Sequence, residues 1–161
     1  MEFKTFSQLS GNQLSSVWEL FLQPYAYGIL SSTHRYSFTE LKIESKNNPD
    51  HKQELAVVEE GSVIGCIRLE RKDWIARSLR VAVGMIQHSA GLPSFLRSFL
   101  DSLTAYEGLD RFYAYVLPSE KTHQGLLLDL GFKKEACLDE HVYHQGIYQD
   151  LEIWGTARKQ R

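Results

Sequence analysis

The fold is decided by residues 110–155, DRFYAYVLPSEKTHQGLLLDLGFKKEACLDEHVYHQGIYQDLEIWG. Apolar and polar side chains alternate over residues 110–117, which predicts a strand. Ser119 is predicted to cap a short helix that ends at Gly131, because glycine takes the left-handed conformation that closes many helices. Residues 132–154 are predicted to form two strands joined by a tight turn. This part of the chain is therefore predicted to run strand, helix, hairpin.

The predicted hairpin turns at Gln145 and Gly146, because glycine takes a positive φ without steric cost. In that register Tyr143 faces Tyr148 and His141 faces Asp150, and residues directly opposite one another share a face of the hairpin. This polar and aromatic face is either a solvated surface stabilised by aromatic pairs or one wall of a functional site.

The elements upstream complete an α/β pattern. Strands are predicted at residues 2–7, 54–59, 63–71 and 78–86. Two helices are predicted to begin at capping boxes, Ser10 to Gln13 and Ser37 to Glu40, and a third helix is predicted from Pro93 to Gly108. The predicted order is β-α-α-β-β-β-α-β-α-β-β. It corresponds to a single domain over residues 1–161, in which helices flank one mixed sheet.

Composition excludes several classes of function. The net charge of −2 gives no broad field for nucleic acid or an anionic membrane, and no apolar run reaches the length of a membrane span. The first residues, MEFKTFSQLSGNQ, lack the charged start and cleavage site of a secretory signal, so we expect a cytoplasmic protein. Cys66 and Cys137 are predicted to be reduced core thiols. His141 and His144, three apart on a strand, point to opposite faces and cannot share a metal.

The C-terminal motifs resemble those of the GNAT N-acetyltransferase superfamily. The chain has Leu-Gly-Phe at residues 130–132 and the pattern Tyr-x-x-Gly-x-Tyr-x-Asp at residues 143–150. The element order agrees along essentially the whole chain, and the branch it is most similar to acetylates protein N-termini, polyamines and amino sugars. The resemblance implies the GNAT fold and acetyl-CoA as cosubstrate, and no metal is expected because the sequence has neither a CxxC pair nor an HExxH motif. It also implies a small-molecule amine or a protein N-terminus as partner and a monomer or homodimer, while charge and hydropathy argue against a nucleic acid or membrane partner.

In this family acetyl-CoA lies between two parallel strands that splay apart, which by resemblance are residues 78–86 and 110–117. Its pyrophosphate binds at the start of the helix between them, where free N–H groups and the helix dipole favour an anion. The usual loop is Gln/Arg-x-x-Gly-x-Gly/Ala, and this chain has HSAGLP at residues 88–93, in which Pro93 removes one donor. The cofactor-binding residues implied are Val81, Val83, His88, Ser89, Gly91, Leu92, Ser94 and Glu120. Lys121, Lys133, Lys134 and Arg97 are either further phosphate ligands or solvated surface charges.

The chemistry departs from the family at one position. Many members have a Tyr four residues before the Gly-Phe that protonates the departing thiolate, and an Asn near the start of that helix. These positions are Leu127 and Glu120 here, and leucine cannot donate a proton. A leucine at this position leaves three alternatives: another group protonates the thiolate, the thiolate leaves without protonation, or the protein does not transfer acetyl groups.

Two functions are compatible with this departure. One is acetyl transfer to a primary amine by direct attack, with candidate catalytic residues Tyr143, His141 and Glu70. The other is a non-catalytic GNAT-fold protein that senses CoA or binds a partner. Glu54 is a further candidate for an amine proton, although Glu54 and Glu70 are also explained as solvated strand charges. Tyr113 and Tyr115 are expected to pack in the core or a cleft, and Tyr25, Tyr27, His34, Arg35 and Tyr36 either close over the acceptor or form an ordinary connector.

Overall fold

The computed structural model describes residues 1–22, 52–87, 89–144 and 146–158. The predicted helix that begins near Ser37 lies outside the described residues. So do the aromatic connector at residues 25–36, His88 of the predicted cofactor loop and Gln145 of the hairpin turn.

The described residues form seven strands and three α-helices in the predicted order. The strands are β1 (Glu2–Thr5), β2 (Lys52–Glu59), β3 (Ser62–Asp73), β4 (Ser78–Met85), β5 (Arg111–Val116), β6 (Lys133–His144) and β7 (Ile147–Ala157). The helices are α1 (Gly11–Leu22), α2 (Leu92–Glu107) and α3 (Lys121–Asp129). Within the described ranges, no helix is both long enough and apolar enough to cross a membrane.

Local signals explain most of the element boundaries. The capping box before α1 is confirmed: the N–H of Gln13 donates to Ser10 Oγ (3.3 Å) and the N–H of Ser10 donates to Gln13 Oε1 (3.0 Å). Gly108 ends α2 with φ at 69°. The predicted cap of α3 is wrong by one residue. Glu120 rather than Ser119 stands at the N-cap, because Ser119 belongs to the turn that follows β5.

The first predicted strand is too long. It ends at Thr5, where a short 3₁₀ helix, Phe6–Gln8, turns the chain and buries Phe6. The hairpin between β2 and β3 forms as predicted. Its turn residues Glu60 and Gly61 both have positive φ, 50° and 81°, the geometry that suits a two-residue loop.

The sheet has the order β1-β2-β3-β4-β5-β7-β6. Neighbouring strands are antiparallel except β4 and β5, which are parallel, so the predicted mixed sheet is confirmed. The parallel pair arises because α2 returns the chain from the end of β4 to the start of β5.

Apolar residues alternate across the sheet and form two cores. The larger core packs α2 and α3 against one face and contains Ile67, Val81, Leu96, Phe112 and Leu127, among others. The smaller core packs α1 against the other face and contains Leu14, Val17, Leu20, Ala56 and Cys66, among others. Cys66 is therefore a core thiol as predicted. For Cys137 the prediction is wrong: it is exposed, because β6 is an edge strand of the sheet.

Two glycines provide a matched test of this packing. A Cβ on Gly65 would lie 2.6 Å from the main-chain oxygen of Gly84, whereas a Cβ on Gly125 of α3 would meet nothing within 4 Å. We expect Gly65→Ala to lower the free energy of unfolding, since β3 and β4 must separate, and Gly125→Ala to raise it by about 0.5–1 kcal/mol. Urea denaturation of both variants tests the pair. A neutral Gly65→Ala would contradict the close approach of the two strands.

Candidate active site

The parallel strands β4 and β5 separate soon after they pair. Their ladder consists of Ser78 with Arg111, Leu79 with Phe112, and Arg80 with Tyr113. Beyond that point β4 continues to Met85 and β5 to Val116 without pairing to each other. We call the space between residues 81–85 and residues 114–116 the wedge. The splayed pair expected from the resemblance is present, at the strands expected.

Val81 and Val83 line the wedge with their main chains. Both side chains are buried in the larger core and point away from the α1 face. Their contribution to a ligand between the strands would therefore come from backbone N–H and C=O groups, which on this stretch of β4 have no ladder partner on β5.

The loop before α2 offers a limited anion site. The N–H of Leu92 donates to the Ser89 carbonyl oxygen (3.1 Å), and the carbonyl of Gly91 accepts from Phe95 (3.0 Å). The N–H groups of Ser89, Gly91 and Ser94 have no acceptor in the described part of the chain. Of the four N–H groups predicted to bind the pyrophosphate, those of Ser89, Gly91 and Ser94 can therefore donate to an anion, whereas that of Leu92 already donates to a carbonyl oxygen.

An acidic side chain lies beside this loop. Ser89 Oγ donates to Glu59 Oε1 (3.3 Å), and Glu59 ends β2. A Cβ on Gly91 would lie 2.9 Å from Met1 Cε, so the N-terminal side chain covers the glycine. The carboxylate opposes a phosphate group, whereas the free N–H groups and the helix dipole favour one.

The start of α3 carries a histidine that reaches the wedge. The His123 side chain is 16% exposed, and its Nδ1 lies 3.7 Å from Glu120 Oε1. The ring also interacts with the main chain of Val83, so it extends from α3 to the part of β4 that lies past the β4–β5 ladder. Its Nε2 is buried and lacks a hydrogen-bond partner in the described ranges. The wedge therefore contains a titratable group that the sequence analysis missed.

Two further contacts fix the first turn of α3. Glu120 Oε2 accepts a hydrogen bond from the N–H of Leu117 (2.8 Å), which ties the helix start to the end of β5. Gln124 Nε2 donates to Glu152 Oε2 (3.1 Å) on β7. Burial raises the pKa of Glu152, but hydrogen bonds from Lys134 and Trp154 outweigh it and the pKa is lowered. These contacts hold His123 at the mouth of the wedge.

A buried ionic cluster occupies the α1 face of the sheet. Arg68 pairs with Glu54 and lies 3.5 Å from Glu70, and Arg80 pairs with the other oxygen of Glu70. Arg80 also lies over the ring of Tyr115, 5.2 Å from its centroid. The interpretation of Glu54 and Glu70 as solvated strand charges is wrong. Both are held by guanidinium groups, and both oxygens of Glu70 are engaged.

Tyr113 and Tyr115 share this face, as expected, and their ring centroids lie 5.8 Å apart. Burial raises the pKa of Tyr113, with a further contribution from Tyr115. Both phenols are half-buried beside Arg80, at the point where the β4–β5 ladder ends. They lie side by side on the α1 face of the sheet.

The hairpin of β6 and β7 projects past the end of β5. Tyr143 pairs with Tyr148 as predicted, with ring centroids 5.2 Å apart, and is 65% exposed. The predicted pairing of His141 with Asp150 is wrong. The ladder is interrupted there by a bulge, and the N–H of Glu140 donates to Asp150 Oδ1 instead (2.9 Å).

The structure does not bring Tyr143 and His141 to the wedge. Both lie on β6, which β7 and β5 separate from β4 in the sheet. Three strand spacings of about 4.8 Å each lie between β6 and β4. Of the predicted phosphate ligands, Arg97 donates to the carbonyl oxygen of Asp129 and Lys134 pairs with Glu152, so neither is directed at the loop before α2.

Leu127 is buried in the larger core, one helical turn after His123. Residues four apart on a helix lie on the same face. His123 was therefore recognisable in the sequence as the titratable residue one turn before the leucine that replaces the usual tyrosine.

Comparison with known proteins defines the fold. No family model and no curated protein matches the sequence. Among solved structures, spermidine N-acetyltransferase SpeG from Vibrio cholerae in complex with CoA and spermine matches with a TM-score of 0.78 at 19% identity, over 98% of this chain and 95% of that chain. A chimera of SpeG with hSSAT matches with a TM-score of 0.77 at 19% identity, over 97% of this chain and 94% of that chain. The chain has the fold of these acetyltransferases. The α/β prediction of a GNAT-type mixed sheet is confirmed.

The buried histidine gives a pH-dependent stability. Burial lowers the pKa of His123 below its ordinary value of 6.5, outweighing the contact with Val83. The unfolded chain binds this proton more tightly than the folded protein does. The contribution of neutral His123 to the free energy of unfolding is therefore fully present above pH 6.5. It is lost as the pH falls from there towards the lower pKa of the folded state.

When the pH falls from 7.5 to 5.5, we expect the free energy of unfolding to decrease less in His123→Asn than in wild type, because only the wild-type protein has a buried imidazole to protonate. The difference reaches at most about 1.4 kcal/mol per pH unit. Urea denaturation at the two pH values measures it. Equal losses in both proteins would show that the ring is not held neutral by burial.

Proposed function

We propose that this protein transfers an acetyl group from acetyl-CoA to a primary amine by direct attack. The observation that carries the proposal is the wedge between β4 and β5, in a fold shared with acetyltransferases along almost the whole chain. The unpaired main chain of residues 81–85 would bind the thioester arm, and one of its N–H groups would stabilise the carbonyl oxygen as negative charge develops.

A polyamine is the acceptor we propose first. The SpeG structures are those of a spermidine N-acetyltransferase, and one of them is in complex with CoA and spermine. A protein N-terminus and an amino sugar are the alternatives from the sequence. Spermidine, a peptide with a free N-terminus and glucosamine, each assayed with acetyl-CoA, distinguish the three.

The second candidate function is a non-catalytic protein that binds CoA or a partner. Two observations favour it: Leu127 is part of the core, and Glu59 places a carboxylate beside the phosphate loop. Calorimetric titration with acetyl-CoA and with CoA, followed by the acceptor assay, separates the candidates. Binding without turnover on any amine supports the second, and absence of binding at millimolar ligand contradicts both the enzyme and a CoA sensor.

We expect Gly91→Trp to abolish CoA binding, because the indole would fill the loop that the pyrophosphate needs. Gly11→Trp is the matched control: Gly11 also stands at the start of a helix, and a Cβ there meets nothing within 4 Å. Calorimetry on both variants measures the dissociation constants. CoA binding by Gly91→Trp with wild-type affinity would place the pyrophosphate elsewhere.

We expect Glu59→Gln to tighten CoA binding by about three- to tenfold at low salt, because a charge that repels phosphate is removed. The neighbouring Glu60→Gln is the control, since Glu60 is exposed in the β2–β3 turn, whereas Glu59 is the residue that accepts from Ser89. An equal gain in both variants would assign the effect to net charge rather than to the loop.

A further inference from the structure

We propose that His123 is the proton-transfer residue of this site: it takes the proton of the attacking amine and delivers it to the sulfur of CoA. This inference rests on the proposed acetyl transfer and assigns a residue to its chemistry. Neither the loop motif nor the hairpin motif points to His123, which lies between them on α3.

The position of the ring is the first argument. His123 reaches from the start of α3 to the main chain of Val83, inside the stretch of β4 that has no partner on β5. A thioester bound along that stretch would lie against the imidazole. Its Nε2 is buried and makes no hydrogen bond in the described part of the chain, so the hydrogen-bonding capacity of this nitrogen is unused in the free protein.

The surroundings of the ring are the second argument. Glu120 places Oε1 3.7 Å from Nδ1, where it can stabilise the imidazolium formed during the reaction. Two other charged groups contact the first turn of α3 through Gln124: Lys121, which donates to Gln124 Oε1, and Glu152 on β7, which accepts from Gln124 and from Lys134. Burial lowers the pKa of His123 and keeps the ring neutral at pH 7, the form that accepts a proton.

The third argument is the placement of the other candidates. Leu127 has no proton to give, and both oxygens of Glu70 are engaged by guanidinium groups. Tyr143 and His141 stand on β6, the far edge strand from β4. Within the described ranges, the histidine and the carboxylate that lie together at the wedge are His123 and Glu120.

One histidine is sufficient for both proton transfers of the reaction. The amine nitrogen forms a bond to the thioester carbon, and neutral His123 takes the proton that this nitrogen must lose. The carbon–sulfur bond then breaks, and the imidazolium returns that proton to the departing sulfur. The products are the acetylated amine and CoA thiol, and His123 ends in its starting form.

The test compares His123→Gln with wild type in full-length protein. We expect kcat to fall by about 10²- to 10³-fold, the usual worth of general acid–base catalysis, while the dissociation constant of acetyl-CoA changes by less than about threefold. Wild-type kcat/KM should decline on the acid side as His123 gains its proton, and this decline should be absent in His123→Gln. Added imidazole should restore part of the rate of His123→Ala, which a purely structural role would not allow.

Thr122→Gln, at an exposed neighbouring position on α3, controls for disturbance of the helix, and thermal melting confirms that each variant folds. The role of His123 is overturned if His123→Gln keeps kcat within about threefold of wild type with its acid limb intact. It is also overturned if His123→Ala binds acetyl-CoA more tightly and turns over faster, because the ring would then be an obstruction. A wild-type protein that binds acetyl-CoA but acetylates no amine overturns the acetyl transfer itself, so the two failures are distinguishable.

Discussion

The structure depends on one constraint: β4 and β5 must pair at their start and separate afterwards. Main-chain N–H and C=O groups need partners, and each buried group left without one costs about 1–3 kcal/mol. The three pairs from Ser78 to Arg80 hold the strands together, and beyond them the main-chain groups of residues 81–85 that point towards β5 have no ladder partner there. The contact of His123 with Val83 offsets part of that cost in the free protein. A bound thioester arm would offset it more completely, which connects stability to ligand binding at this site.

The opposite face of the sheet solves a different problem, the burial of charge. Arg68 is almost fully buried, and an unpaired guanidinium there would be prohibitively costly. The alternation Glu54, Arg68, Glu70, Arg80 across β2, β3 and β4 neutralises each charge by the next. Arg80 also contacts the ring of Tyr115 on β5 and so extends this series of contacts to the next strand. The cluster thereby ties together the α1 side of the strands at the point where β4 and β5 part.

The sequence predicted the sheet and helix order because periodicity, capping boxes and turn glycines are local. The β2–β3 turn at Glu60 and Gly61 and the Tyr143–Tyr148 pair follow from such signals. The bulge opposite Asp150 was not predictable, because no turn residue or change of periodicity marks it in the sequence. The burial of His123 and of Glu70 was not predictable either: a histidine on a short helix and a glutamate on a strand have no local signature of burial. Only the tertiary arrangement places one in the wedge and the other between two arginines.

Under the proposed role of His123, three positions at the N-cap and in the first two turns of α3 explain how the site would keep its chemistry while departing from the resemblance. Leu127 gives the core an apolar residue where a tyrosine is usual, which removes a proton donor from one turn of the helix. His123 restores a titratable group one turn earlier on the same face, closer to the helix start and to Val83. An imidazole needs an orienting partner, and Glu120 supplies a carboxylate where an asparagine would give only an amide. Under this proposal residues 120 and 123 are chemically coupled: the histidine makes use of the carboxylate, and together they would take the place of a tyrosine at 127.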